Sequence, residues 1–264
     1  MQWSEEAKKA IEEVPFFVRM RVRKRVEEEA VHAGAPEVRI DHVNACQKRF
    51  LTKMEDEVAG YQVETCFGPG GCPNRAIIYD GLAEKIRNRL QARDLKSFLK
   101  GVVSGPLKIH HEFRVSISDC PNACSRPQIV DIGLIGACEP CVTDETCSRC
   151  NACAETCQED AISFPGDGPF LDAAKCLNCG KCIAVCPTGS LAKDRSGYRV
   201  LLGGKLGRHP RLASELPGIF PAEKIPEIID TCLDYYTSHC QTGERLGEIL
   251  EKRGMEEILK EISS

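Results

Sequence analysis

The chain has no apolar run approaching the roughly 20 residues that a membrane-spanning helix needs, and it opens on Trp3 among charged residues rather than on the apolar stretch of a secretion signal. No membrane association and a cytoplasmic location are therefore expected. A charge excess is lacking too, since 35 basic and 39 acidic side chains leave a net charge of -4. That balance gives no electrostatic reason for a nucleic-acid or bilayer partner, and neither is expected. Disorder is excluded by a composition that is 42% hydrophobic and 28% charged, ordinary values for a folded protein.

Against these absences stand 17 cysteines in 264 residues. Such density means disulfides in a small secreted scaffold and metal in a reducing compartment. Spacing decides for metal. The cysteines fall in C-x2-C and C-x3-C groups with helical flanks, the arrangement in which thiolates converge on one centre.

Organisation follows the change of texture along the chain. Residues 1–60 read as helical: Pro15 opens a segment running to His32, Gly34 stands where a helix end favours glycine, and Asp41 is placed to cap the next helix. From Tyr61 the pattern turns to Gly, Pro and Cys. A helical stretch is then expected from Leu82 to Leu99, with Ile86, Leu90, Leu95 and Leu99 buried. β-type runs lie at 113–118 and 129–136 and again at 198–204, separated by a cysteine-rich stretch. The tail from Ala222 is helical in period. The fold class expected is mixed α+β or α/β, divided as a helical domain 1–60, a domain of 61–136 with 197–264, and an insertion of 137–196.

Within the insertion, Cys147, Cys150, Cys153 and Cys157 form C-x2-C-x2-C-x3-C, and Cys176, Cys179, Cys182 and Cys186 repeat it, followed by Pro187. The stretch resembles bacterial two-cluster ferredoxins. That resemblance implies two 4Fe–4S clusters with crossed ligation: Cys147, Cys150, Cys153 and Cys186 on one, and Cys176, Cys179, Cys182 and Cys157 on the other. Gln158 replaces the usual proline, which is not a ligand. Paired structural zinc is the bland alternative, but zinc favours four-ligand sets built from two separated pairs.

A second constellation is Cys66 and Cys72 as C-x5-C, with Cys120 and Cys124 as C-x3-C in SDCPNACSRP. Here the chain resembles the siroheme-dependent sulfite and nitrite reductase family, in its dissimilatory and anaerobic form with an inserted ferredoxin module. The resemblance implies a siroheme/4Fe–4S half-domain, a third 4Fe–4S cluster on these four cysteines, and a siroheme whose iron shares Cys124. It also implies that Gly203 and Gly204 approach the macrocycle and that Lys205, Arg208, Arg211 and Arg126 meet its carboxylates. Such proteins reduce sulfite to sulfide or nitrite to ammonia. Six electrons are needed, so a redox donor protein or partner subunit is expected. The resemblance also implies a small anionic substrate and, through the family's pseudo-symmetric architecture, a dimer or hetero-oligomer.

The family's Lys-Phe-Lys element, just ahead of the C-x3-C motif, reads Glu112-Phe113-Arg114 here. Arg114, His111 and Lys108 are therefore the candidate substrate-binding and proton-donating groups. The family's arginine-rich strands ahead of C-x5-C are absent, replaced by residues 1–60, which resemble a small helical domain of light-independent protochlorophyllide reductase. A non-catalytic electron-transfer subunit is the rival reading. Cys138 and Cys141 form one further C-x2-C, expected to be structural, while Cys46, Cys232 and Cys240 read as small buried residues.

Overall fold

The computed structural model describes residues 1–79 and 81–263. The chain divides into two compact units, one of Met1–Val58 with Gly105–His110 and one of Ala59–Ser104 with His111–Ser264. Among the described residues no helix is long and apolar enough to cross a membrane.

In the first unit, β1 (Gln2–Trp3) and β2 (Glu37–Val38) pair in parallel beside α1 (Glu5–Glu12), α2 (Phe16–His32) and α3 (Ile40–Glu57). Ser4 caps α1 by accepting a hydrogen bond from Ala7 N at 3.3 Å, satisfying one of the free donors of a helix start. Pro15 immediately precedes α2, and Gly34 follows its end with φ of 66°. Asp41, expected as a cap, lies instead in the first turn of α3, where His42 Nδ1 accepts from Arg39 N at 3.0 Å. Trp3, Ala7, Ile11, Val26, Ala30, Val38 and Val43 form the core of this unit. Trp3 Nε1 donates to Glu27 at 2.8 Å, so the indole is buried without an orphaned donor.

The second unit is built on β3 (Tyr61–Thr65), α4 (Leu82–Ala92), α5 (Leu95–Val102), β4 (Phe113–Ser118), β5 (Ile132–Val142), α6 (Ala152–Thr156), β6 (Ile162–Ser163), β7 (Phe170–Leu171), α7 (Lys181–Ala184), β8 (Leu191–Leu202), β9 (Ser214–Glu215), α8 (Ile225–His239), α9 (Leu246–Arg253) and α10 (Glu256–Ser263). Its five-stranded sheet has the order β3-β4-β5-β8-β9; β3, β4 and β5 run parallel, and β8 and β9 pair antiparallel. Strand alternation sorts the side chains. Phe113, Val115, Ile117, Ile132, Leu134, Tyr198, Val200 and Leu202 join one core with Leu82, Ile86 and Leu90 of α4 and the apolar side of α8 and α9. Each such Leu or Ile contributes about 1.5–3 kcal/mol on burial. Ile135 and Leu201 turn the other way and pack with Ala123, so this second face carries the loop after β4.

The helix expected from Leu82 to Leu99 is two helices. Asp94 breaks it with φ of 42° and restarts the chain by accepting from Ser97 N at 3.4 Å. Ile86, Leu90, Leu95 and Leu99 are buried as expected. The strands around the cysteine-rich stretch are longer than their apolar runs: β5 continues to Val142 and β8 begins at Leu191, paired from Ile132↔Leu202 to Val142↔Leu191 with a register shift between Cys138 and Pro140. Residues 143–190 thus hang between the ends of a two-stranded ribbon that grows out of the sheet.

Candidate functional site

Cys66 follows β3 directly, its N–H bonded to Ile117 O at 2.9 Å, and Cys120 and Cys124 lie in the loop after the adjacent β4. Parallel pairing of two neighbouring strands therefore delivers both halves of the C-x5-C and C-x3-C set to one end of the sheet. The thiol of Cys120 is pushed up by burial and further by the neighbouring Cys124, Cys66 and Cys72, against a hydrogen bond from the Asn122 backbone. Gly68 N and Asp119 N each approach Cys66 Sγ at 3.3 Å, and Asn122 Nδ2 approaches Cys124 Sγ at 2.9 Å. Donors converging on sulfur suit thiolates rather than thiols, and a cationic cluster reverses the mutual repulsion of such a set.

The loop carrying Cys120 and Cys124 is tied down from beneath. Ser118 Oγ and Ser125 Oγ lie 2.7 Å apart, Ser125 Oγ donates to Ile117 O at 2.8 Å, and Ser116 Oγ donates to Ser125 O at 2.6 Å. All three serines are buried. Arg75 Nε meets Asp119 Oδ2 at 2.8 Å, and Asp119 O accepts from Ala76 N at 2.8 Å, which joins the Cys72 and Cys120 loops. Gly136 of β5 allows this close approach, because a Cβ there would stand 2.4 Å from Asp119 O.

The second copy of the ferredoxin-like motif follows the first position for position. Arg149, Asn151 and Asp160 take positive φ in the first, and Asn178, Gly180 and Gly189 do so in the second. Arg149 N approaches Cys147 Sγ at 3.4 Å, and Asn178 N approaches Cys176 Sγ at 3.5 Å. Cys147, Cys150, Cys153 and Cys186 line one small cavity. Cys157, Cys176, Cys179 and Cys182 line a larger one of about 460 Å³, whose remaining wall includes Cys72, Cys120 and Cys124. The cysteines thus fall into the groups that crossed ligation requires. Among the described residues no three His, Cys, Asp or Glu side chains converge tightly enough to hold a single ion.

Burial acts against the Cys186 thiolate, but Ser190, the Leu191 backbone and Thr188 outweigh it and bring the group down to about 6. Cys182 is pushed up to about 12 by burial and by Cys179 and Cys176, which outweigh the backbone donors of Ile183 and of Cys182 itself. Cys138 N donates to Asn178 O at 2.7 Å, and a Cβ on Gly180 would lie 3.1 Å from Cys138 Sγ. This cysteine therefore packs behind the Cys176–Cys182 loop.

The remaining candidates are dispersed. Arg114 lies on β4, its N–H donating to Asp131 Oδ2 at 2.8 Å. His111 ends a short turn ahead of β4, while Lys108 is exposed and belongs to the first unit. Glu112, the odd residue of the substituted Lys-Phe-Lys element, is 2% exposed, and its Oε1 accepts from Ala59 N at 2.8 Å and Gly60 N at 3.3 Å. It is a strap on the chain entering β3. Lys205 Nζ pairs with Glu248 Oε1 at 2.6 Å, and Arg211 donates to Gly247 O, so both hold α9 in this structure. A Cβ at Gly204 would meet Gln128 O at 2.5 Å, and one at Gly203 would meet Gly247 at 3.0 Å. These glycines admit neighbouring backbone. Arg208 and Arg126 are exposed, the latter 3.9 Å from Glu64. Sequence reading missed the serine tie, the Arg75–Asp119 pair and the buried Asp131–Arg245 pair. An aspartate inside the apolar run IVDIGLIG was the available signal for the last.

Residues 61–264 match the family described as nitrite and sulphite reductase 4Fe-4S domain, and residues 3–47 match the proto-chlorophyllide reductase 57 kD subunit. The coenzyme F420-dependent sulfite reductase of Methanocaldococcus jannaschii is 31% identical over 218 residues, covering 82% of this chain and 33% of that protein. The dissimilatory-type sulfite reductase subunit beta of Archaeoglobus fulgidus is 26% identical over 164 residues, 56% of this chain and 44% of that one. The crystal structure of dissimilatory sulfite reductase I superposes with a TM-score of 0.54 at 16% identity, over 82% of this chain and 57% of that chain. The fold is thus shared with a sulfite reductase. The chain belongs to the nitrite and sulphite reductase 4Fe-4S domain family. It spans a third to under half of these curated relatives.

Proposed function

We propose that the chain is a siroheme and iron–sulfur oxidoreductase subunit that reduces sulfite, or nitrite, with electrons delivered through three 4Fe–4S clusters. The observation that carries this reading is the cavity whose wall joins Cys157, Cys176, Cys179 and Cys182 to Cys72, Cys120 and Cys124. That wall supports an ordered route. The Cys147, Cys150, Cys153 and Cys186 set would hold an entry cluster, the Cys157, Cys176, Cys179 and Cys182 set a middle one, and the Cys66, Cys72, Cys120 and Cys124 set the one that shares a ligand with siroheme, each supplying a one-electron carrier. Bound siroheme supplies an iron at which a six-electron reduction of the oxyanion takes place.

The chain's own residues hold and prepare that site. Cys124 is exposed, with its sulfur supported by the Asn122 amide, so it is the thiolate available to share with the siroheme iron. Arg126 and Arg208 remain exposed and suit the macrocycle's carboxylates. Arg114 and His111 are the groups assigned to bind the anion and to donate protons.

A second reading is an electron-transfer subunit whose partner bears the substrate site. Two observations favour it: Glu112 is used to fix backbone where the family element has a cation, and Lys205 and Arg211 are engaged within the chain. The two readings separate on protein purified without oxygen. A reductase carries about twelve irons in clusters plus one in a chlorin-type macrocycle, and its visible bands shift when sulfite or nitrite is added to the reduced form. Cluster absorption without macrocycle bands, persisting after reconstitution with siroheme, leaves the electron-transfer subunit.

A further inference from the structure

The two copies of the cysteine motif differ at the fourth cysteine of each. In the second copy, Thr188 Oγ1 donates to Ser190 Oγ at 3.2 Å, Ser190 Oγ lies 3.4 Å from Cys186 Sγ, and Leu191 N approaches the same sulfur at 3.4 Å. Thr188 Oγ1 itself is 3.8 Å from that sulfur. In the first copy, the positions equivalent to Thr188 and Ser190 are Glu159 and Ala161. Cys157 Sγ is approached by Ala161 N at 3.4 Å, and no hydroxyl stands at either position. Ser190 is 3% exposed, so its hydroxyl is shielded from competition by water. Its place is fixed by Thr143 N, which donates to Ser190 O at 3.0 Å, and by Thr143 Oγ1, which donates to Gly189 O at 2.8 Å.

A thiolate can only accept, so the three groups form a directed chain from the Thr188 hydroxyl through the Ser190 hydroxyl to Cys186 sulfur, each bond polarising the next. Donors aimed at a cluster's sulfurs stabilise the extra negative charge of its reduced form and raise its potential. We propose that the Thr188–Ser190 hydroxyl relay makes the outer cluster, held by Cys147, Cys150, Cys153 and Cys186, the higher-potential member of the pair. This deepens the proposed function and rests on its ligand grouping. Each cluster would carry one electron at a time, supplied by the external donor to the outer cluster and passed from it to the inner one, with no bond or proton changing at the sulfur. The first electron then resides on the outer cluster, and transfer inward is uphill until a second electron arrives. Glu159 works in the same direction at the inner cluster, though its exposed carboxylate is screened. The outer site is thus a holding position that meters electrons toward Cys120 and Cys124.

The test uses the full chain purified without oxygen, with iron and sulfide counted for each variant and midpoint potentials read by electron paramagnetic resonance during a mediated dithionite titration. Ser190→Ala and Thr188→Val are expected to lower one potential and leave the others in place, and Thr188→Ser to restore it. Ala161→Ser is expected to raise a different potential toward the first. With full iron present, potentials unmoved in Ser190→Ala and Thr188→Val overturn the relay. A shift of all clusters together also overturns it, since that is loosening of the fold. An unaltered chain with fewer than eight irons in 143–190 overturns the ligand grouping itself, and the relay with it.

Discussion

At the scale of single residues, the cysteines were the most legible part of this chain and the polar groups that hold them the least. Thiols that share one centre are constrained in both type and spacing, so twelve could be grouped as candidate cluster ligands from the text alone. Ser116, Ser118 and Ser125 could not be recognised, because a serine on a strand or in a loop has the same appearance whether it ties a loop or faces water. Glu112 shows the same limit from the other side: a carboxylate where the family element has a cation reads only as a departure until burial and two backbone donors reveal its use. Glu248 gives a pH test. Burial alone would raise its carboxyl, but the Lys205 ammonium and the Arg245 N–H outweigh this and hold it below its ordinary range. Its stabilising contribution is therefore present above the unfolded-state value and is lost as pH falls through the lower folded one. Glu248→Gln should lower stability at neutral pH and flatten the acid side of the profile, as read by urea unfolding from neutral pH into that range.

Elements were legible where side-chain periodicity acts alone and obscure where partners decide. The apolar stripe Ile86, Leu90, Leu95 and Leu99 marks buried positions correctly but cannot show that Asp94 breaks the helix, since that depends on a left-handed turn its carboxylate stabilises. β3 was missed because its alternation, Tyr61-Gln62-Val63-Glu64-Thr65, lasts only five residues and runs straight into the Cys, Gly and Pro of the next loop. β5 and β8 were read too short because Gly136 to Cys141 looks like loop, and only the opposite strand supplies its ladder. Gly136 tests this arrangement. Gly136→Ala places a Cβ 2.4 Å from Asp119 O, an overpacking worth about 1–3 kcal/mol or about 2–10 °C in thermal midpoint. The same variant should disturb the absorption of the cluster held by Cys120, while iron bound by 143–190 is retained.

For the whole molecule, the expected division rests on where the β-type texture stops and resumes around the cysteine repeats; the two compact units part at Val58 and Ala59, with Gly105–His110 in the first and all of 137–196 in the second. The main cluster of buried residues draws nothing from 143–190, and Cys153, Cys182 and Leu191 form a separate apolar nucleus with Ile162 and Phe164. Joining Val142 to Leu191 through a short glycine-containing turn should therefore leave a cooperatively unfolding chain that has lost about eight irons and kept about four. Loss of cooperative unfolding in that shortened chain would show that the insertion is part of the core. The ribbon that carries it has a further property. Its ladder fixes how far residues 143–190 stand from the sheet, and a slip of one residue would move them by about 3.3 Å and turn every side chain over. Electron tunnelling falls steeply with distance, so under the proposed route the antiparallel register from Ile132 to Val142 would work as a gauge block, converting a count of paired peptides into the speed at which current reaches the end of the sheet.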